Sequence, residues 1–243
     1  MPSDGRIALI TGASRGIGAA TAKRLARDGV HVILVARTVG ALEEVDDVIQ
    51  SAGGSATLVP LDLREHDKID QMAASIYDRW KKLDILVGNA GILGELTPVS
   101  HLAPKIWDSI LQVNVTANWR LLRVFHPLLT QSDAGRAVFM TSGYSSGSQP
   151  FFGAYAAGQA ALESLVRTHA METAETTVRT NLFAPLPART ALRAAGFPGE
   201  PEDRQIHPDQ VAEQLMPLLQ PDWQTNGEVI SMTAPASTEG GRA

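Results

Sequence analysis

The sequence contains no cysteine. Disulfide scaffolds and thiolate-held metal sites are thereby excluded, and no marker of redox compartment is left to read. Nor does any apolar run approach the roughly 20 residues that a bilayer-spanning helix needs. The opening residues, Met1-Pro2-Ser3-Asp4-Gly5-Arg6, lack the layout of a secretory signal, so a cytoplasmic location and no membrane partner are expected. A basic surplus is missing too. Lys and Arg number 21 against 26 Asp and Glu, a formal net charge of −5. That balance argues against nucleic acid as a partner, while a local basic pocket stays compatible with it. No internal repeat or long low-complexity stretch breaks the chain.

What is present is ordinary globular material: 243 residues, 44% hydrophobic and 19% charged. A chain of this length buries enough surface to fold without a disulfide or metal staple. Its apolar segments come in two kinds that alternate. Short β-rich runs lie at Arg6–Thr11, Val30–Ala36, Ala56–Pro60, Asp84–Gly88, Ala137–Thr141, Val178–Phe183 and Glu228–Ser231. Helical spacing marks Ile17–Asp28, Leu42–Ser51, His66–Lys81, Ala103–Leu129, Phe152–Ala174 and Pro208–Leu219. Continuous runs such as Ile85-Leu86-Val87 suit strands covered on both faces. The alternation predicts a single doubly wound, Rossmann-like α/β domain over residues 1–232, with a parallel sheet of about seven strands flanked by helices. Residues 233–243 are expected to form a flexible tail. The irregular stretch Ala184–His207, with four prolines, is a candidate lid or a plain surface excursion.

The first strand–helix junction reads Thr11-Gly12-Ala13-Ser14-Arg15-Gly16-Ile17-Gly18. Glycines there let the backbone turn tightly and approach a pyrophosphate, and the helix offers free N–H groups and its positive end to that anion. The spacing is wider than the GxGxxG fingerprint, so its weight comes from its position.

This segment resembles the signature of the classical short-chain dehydrogenases/reductases. Asp62, Asn89-Ala90-Gly91, Asn114, Ser142 and Tyr155 follow in that family's order, and the likeness runs from Arg6 to about Ser231. The resemblance implies a dinucleotide held by Gly12, Ser14, Arg15, Gly16, Ile17, Gly18, Arg37, Asp62, Leu63, Asn89, Ala90, Gly91, Tyr155, Gln159, Pro185 and Thr190. Taken singly, Asp62 reads as a turn residue and Asn89 as a loop cap. An NAD-selective site usually carries a carboxylate after the second strand, on the ribose 2′-OH. Here Ala36-Arg37 stands in its place and Arg15 lies in the glycine loop. Two guanidinium forks suit a 2′-phosphate. NADP(H) is the expected cofactor, with NAD(H) as the alternative.

By the same resemblance, Tyr155 exchanges the proton with the reacting oxygen, Ser142 hydrogen-bonds that oxygen, and Asn114 supports the helix and a relay water. The substrate would be a small carbonyl or alcohol. The family continues as Tyr-x-x-x-Lys, two positions on one helix face. This chain reads Tyr155-Ala-Ala-Gly158-Gln159, so the catalytic set is Asn114, Ser142, Tyr155 and Gln159, without the lysine. A charge about 4–5 Å away is worth roughly 3–4 kcal/mol at an effective dielectric of 20, or two to three pKa units. Slow turnover is therefore expected, and a catalytically silent NADP(H)-binding sensor or partner subunit is the alternative. Gly158 inside the helix is a further oddity. So is Pro185-Leu186-Pro187 where the family commonly has Pro-Gly, because Leu lacks glycine's backbone freedom.

Six scattered histidines show no metal-ligand spacing, so no metal is expected. The serine-rich run at 142–148 contains Gly-x-Ser-x-Gly at Gly143–Gly147, but Pro150 separates it from the next helical stretch, so the strand–turn–helix setting of a hydrolase nucleophile is missing. Phe151, Phe152, Leu186 and Phe197 are candidates for an apolar substrate pocket, for core or for subunit contacts. The resemblance also implies a homodimer or homotetramer paired through the long helical stretches, with Trp107, Trp119, Phe125 and Leu162 at the interface or in the core.

Overall fold

The computed structural model describes residues 5–147 and 149–233. Its seven strands are β1 (Ile7–Thr11), β2 (His31–Ala36), β3 (Ala56–Pro60), β4 (Ile85–Gly88), β5 (Arg136–Met140), β6 (Arg179–Ala184) and β7 (Val229–Ser231). All pair in parallel, in the order β3-β2-β1-β4-β5-β6-β7. The central strand β1 is registered with both neighbours, Leu9 opposite Ile33 and Leu86. Five consecutive buried residues in β1 and four in β4 are what a strand covered on both faces requires. The single α/β domain and its seven-stranded parallel sheet are as the alternation predicts.

Eight α-helices complete the described chain: α1 (Gly16–Arg27), α2 (Val39–Ser51), α3 (His66–Trp80), α4 (Pro104–Ile110), α5 (Ala117–Thr130), α6 (Gly153–Glu172), α7 (Ala191–Gly196) and α8 (Pro208–Leu215). Leu25, Leu42, Val45 and Leu215 bring α1, α2 and α8 onto one sheet face. Ile69, Phe125, Leu162 and Val166 bring α3, α5 and α6 onto the other. Strand order reverses between β1 and β4, so the chain leaves these neighbours toward opposite faces. A crevice opens at their carboxyl ends.

Two segments differ from the sequence reading. The run Ala103–Leu129 is not one helix but α4, a π-helical turn at Leu111–Thr116, and α5. Periodicity cannot register a turn that adds one residue without changing the apolar face. The irregular stretch after β6 contains the six-residue helix α7, capped by Thr190 Oγ1 accepting from Arg193 N at 3.1 Å. Phe125 and Leu162 are core, whereas Trp107 and Trp119 are exposed. His126 and His169, far apart in sequence, meet at 3.3 Å, and burial lowers His169 to a pKa of about 4. No third metal-binding side chain joins them among the described residues. The expected tail lies outside the described residues except for Thr233, which is hydrogen-bonded to Gln214.

Candidate active site

The crevice is a cleft of about 860 Å³ at the carboxyl ends of β1, β2, β4, β5 and β6. The loop after β1 forms one end. Gly12 takes φ +66°, and a Cβ there would stand 2.8 Å from Asn89 Nδ2; a Cβ on Gly18 would stand 2.3 Å from the Gly12 carbonyl oxygen. Gly18 thus packs behind the loop and does not line the cleft, while Gly12, Ser14, Arg15, Gly16 and Ile17 do. No side chain caps the N-terminus of α1 and no acid sits in its first turn. Its free N–H groups and positive dipole end face the cleft, an arrangement suited to phosphate.

Thr11, whose own role the sequence did not suggest, fixes this loop. Its hydroxyl accepts from Asn89 N at 3.0 Å and Ala90 N at 3.1 Å. In return, the Asn89 amide donates to the Thr11 and Gly12 carbonyls at 2.9 and 3.3 Å. The exits of β1 and β4 are therefore stitched together, with Asn89, Ala90 and Gly91 lining the cleft.

Arg15, Arg37 and Thr38 line the same end, together with Asp62, Leu63 and Arg64. Arg64 was not singled out by its sequence. Its Nε lies 3.0 Å from Asp62 Oδ1 and its Nη2 lies 2.5 Å from Oδ2. Hydrogen bonding from Arg64 is the main reason that the Asp62 carboxyl is held down to a pKa of about 2. Arg37 adds to that shift through its charge. Three guanidinium groups against one carboxylate leave this end positive.

The other end is built on β5, α5 and α6. Tyr155, Gln159 and Glu163 recur every four residues on the buried side of α6. Tyr155 is buried at 7% exposure. Burial pushes its phenol above the ordinary value, while hydrogen bonding with Ser142 and Gln159 works against that rise. The Gln159 Oε1 atom is buried without a protein partner. Glu163 accepts from Thr141 Oγ1 at 2.7 Å and pairs with Arg167 at 3.1 Å, which closes the polar row on the side away from Tyr155.

Asn114 lies in the π turn. Its amide accepts from Ile92 N and donates to Ile92 O, both at 2.9 Å. That bond pair clips the β4 exit to the helix. A π turn shifts the backbone ladder, as Ala117 N donating to the Gln112 carbonyl attests. The Asn114 carbonyl accepts instead from Asn118 Nδ2 at 2.8 Å. Asn118 is a cleft-lining residue the sequence reading missed, and its Oδ1 is buried without a partner.

Pro185, Leu186 and Thr190 reach the cleft from the segment after β6. Leu186 has no left-handed backbone angle and packs against the sheet core, so its lack of glycine's freedom costs nothing here. Gly158 also lacks a steric reason: a Cβ would meet Ile110 Cγ2 at 3.4 Å and Asn114 Cβ at 3.6 Å, ordinary contacts. Phe152, Leu186 and Phe197 line the cleft, but Phe151 does not; it is 56% exposed. Phe151 takes φ +70° at the turn into α6, and the turn aims its ring outward.

Glycine loop, positive end and buried Tyr–Ser–Gln cluster in one crevice describe a nucleotide-dependent α/β enzyme site. The sequence pattern of short chain dehydrogenases matches residues 6–200. The chain is 38% identical to the uncharacterized oxidoreductase YciK of Escherichia coli (strain K12) over 198 residues, 80% of this chain and 78% of that protein. A short chain dehydrogenase from Salmonella enterica serovar Typhi superposes with a TM-score of 0.89 at 33% identity, covering 95% of this chain and 98% of that one. A Shigella flexneri 2a protein crystallised as a complex with NADP gives 0.88 at 33% identity, covering 93% and 96%. The chain belongs to the short-chain dehydrogenase family of oxidoreductases.

Proposed function

We propose that the protein is an NADP(H)-dependent oxidoreductase that interconverts a carbonyl and an alcohol. The observation that carries this reading is the shared cleft: Tyr155, with Ser142 and Gln159 as its hydrogen-bonding neighbours, opens into the same cavity as the glycine loop. The residues fit a dinucleotide. A Cβ at Gly12 would press on Asn89 and one at Gly18 on the Gly12 carbonyl, so both glycines keep the shape of the loop; the start of α1 is free for a pyrophosphate, and the orphaned Gln159 Oε1 suits a ribose hydroxyl as donor. Arg15 and Arg37 are suited to a 2′-phosphate. A related Shigella protein has been crystallised with NADP.

Bound in reduced form, the dinucleotide supplies a hydride to the carbonyl carbon. Tyr155 donates its proton to the carbonyl oxygen, and Ser142 donates a hydrogen bond that holds this oxygen in place. In the alcohol-oxidising direction Tyr155 must first lose its proton, and its raised pKa makes that costly near neutral pH. Gln159 binds through its amide but brings no positive charge to ease ionisation. Turnover is accordingly slow, faster toward the alcohol than away from it. The uncharged Gln159 also favours the second reading, a protein that binds NADP(H) without turnover. A cytoplasmic protein that pairs with a second copy, with the exposed Trp119 of α5 at the contact, completes the proposal.

Titration with NADPH and NADH, followed by nicotinamide fluorescence, tests the cofactor assignment. Saturable binding with NADPH tighter by about tenfold or more is expected from a charge-assisted phosphate contact. Equal affinities would remove the roles of Arg15 and Arg37, and no binding of either would end the oxidoreductase reading. Turnover over a carbonyl panel then separates enzyme from silent binder.

A further inference from the structure

The two ends of the cleft differ in what they offer a ligand. Three of the lining cations, Arg15, Arg37 and Arg64, gather around the glycine loop and the exits of β2 and β3. Beyond Tyr155, the charged side chain lining the cleft is Arg193 of α7, and each of its three guanidinium nitrogens already has a partner. Nε and Nη2 each lie 2.6 Å from a different carboxylate oxygen of Glu200. Nη1 donates to the Tyr144 hydroxyl at 3.0 Å. The guanidinium carbon Cζ sits 3.6 Å from the centroid of the Phe197 ring. A substrate carboxylate entering here would have to displace a bidentate partner or be buried without one, and both are costly.

Around this spent cation the wall is aromatic. Ring centroids are 4.9 Å apart for Tyr144 and Phe152, 5.5 Å for Phe152 and Phe197, and 6.1 Å for Tyr144 and Phe197. Tyr155 meets Phe152 edge-on at 6.4 Å, so the proton-bearing hydroxyl belongs to the residue that ends the row. Leu93 and Leu192 add apolar surface to the same lining.

We propose that the substrate is a neutral aryl ketone or aldehyde whose ring lies on the Tyr144–Phe152–Phe197 wall while its carbonyl oxygen meets Tyr155 and Ser142. The assignment deepens the oxidoreductase reading and rests on it for the chemistry, but not for the binding. A flat ring extends a stack already at aromatic spacing, whereas a saturated ring of equal size gains only buried area. Arg193 acts through others. It joins Tyr144, from the loop after β5, to Phe197, from the segment after β6, and so holds two halves of the wall together. It is a positioning residue for specificity.

The test compares α-tetralone, its saturated counterpart 1-decalone and benzoylformate by calorimetry, with the protein both free and saturated with NADP+, which cannot reduce them. We expect α-tetralone to bind about three- to tenfold more tightly than the saturated ketone, and benzoylformate to bind more weakly than either. Benzoylformate binding as tightly as α-tetralone would overturn the proposal, as would failure of α-tetralone to bind in both forms. Binding of α-tetralone without turnover by NADPH would leave the aryl-ketone binding site standing, overturn its role as substrate and count against the oxidoreductase reading on which that role rests.

Two variants locate the effect. Phe197→Leu keeps an apolar side chain and should reduce the preference for α-tetralone over the saturated ketone to about twofold or less. Arg193→Met should raise KM for the aryl ketone several-fold while kcat and NADPH affinity stay within about twofold, since neither the proton donor nor the cofactor end is touched. Unchanged aryl preference in Phe197→Leu, with unfolding curves matching the parent protein, would refute the role given to the wall.

Discussion

The two ends of the cleft are built on opposite principles. The glycine-loop end offers a ligand backbone and exposed charge: a loop of glycines, the free start of α1, and the arginines at positions 15, 37 and 64. The Tyr155 end offers buried side chains that face one another, with Tyr155, Gln159 and Asn118 all nearly sealed from solvent. Exposed charges can be exchanged at small cost to the fold. Buried polar groups cannot, because each leaves a partner unsatisfied. The difference teaches where this family site can drift. The glycine-loop end keeps its charges at the surface, whereas the Tyr155 end carries a neutral Gln159 and two orphaned amide oxygens, those of Gln159 and Asn118.

Four substitutions would break or sharpen that contrast. The largest effect is expected from Tyr155→Phe, which removes the proposed proton donor while preserving the buried ring. Turnover should fall at least about 100-fold, with NADPH affinity nearly unchanged in the same fluorescence titration. A drop in cofactor binding as large as the drop in rate would mean that the two ends are not separable. Next comes Arg37→Asp, which replaces a fork with a repelling carboxylate. NADPH affinity should weaken by about ten- to 100-fold and NADH affinity should hold or improve; calorimetry with both nucleotides reads the ratio.

Gln159→Lys acts on the pH profile more than on binding. A cation beside Tyr155 stabilises the tyrosinate and so lowers the phenol pKa from its raised value. In alcohol oxidation the active form is the deprotonated one, so the rising limb of the pH–rate profile should move to lower pH, by on the order of two units. The reduction direction needs the protonated phenol, so its alkaline fall should move down as well. A limb that stays in place in both directions would dismiss the role proposed for the missing charge. The smallest effect is expected from Gly158→Ala. Space for the methyl exists, and helix α6 should gain about 0.5–1 kcal/mol, seen as a higher midpoint in thermal unfolding with unchanged KM.

Much of this was legible before any coordinates. The strand runs at Ala56–Pro60 and around Ile85–Gly88 carry their own signal in continuous β-branched and apolar residues, and the structure places strands there. The glycine loop was legible because a tight approach of backbone to backbone leaves glycine as the residue that fits. The same holds for Tyr155 and Gln159, since four positions along a helix return to one face. What escaped were pairs without a local mark. Arg193 and Tyr144 are 49 positions apart, His126 and His169 are 43, and nothing near either member points to the other. Asn118 could have been suspected as a polar residue within an apolar helix face. Its task follows only from the π turn that displaces the ladder around Asn114.

By itself, then, the sequence determined the alternation of strands and helices, the loop that can hold a phosphate, and the neutral amide one turn beyond the tyrosine. Those features are written within spans of a few residues, where backbone preference and side-chain spacing act directly. The tertiary structure decided which side chains meet at the carboxyl ends of the strands: Asn89 with Thr11, Asn114 with Ile92, and Arg193 with Tyr144. These contacts exist because a parallel sheet gathers its loops at one edge. Their free energy is set by burial and geometry, which no short stretch of sequence contains.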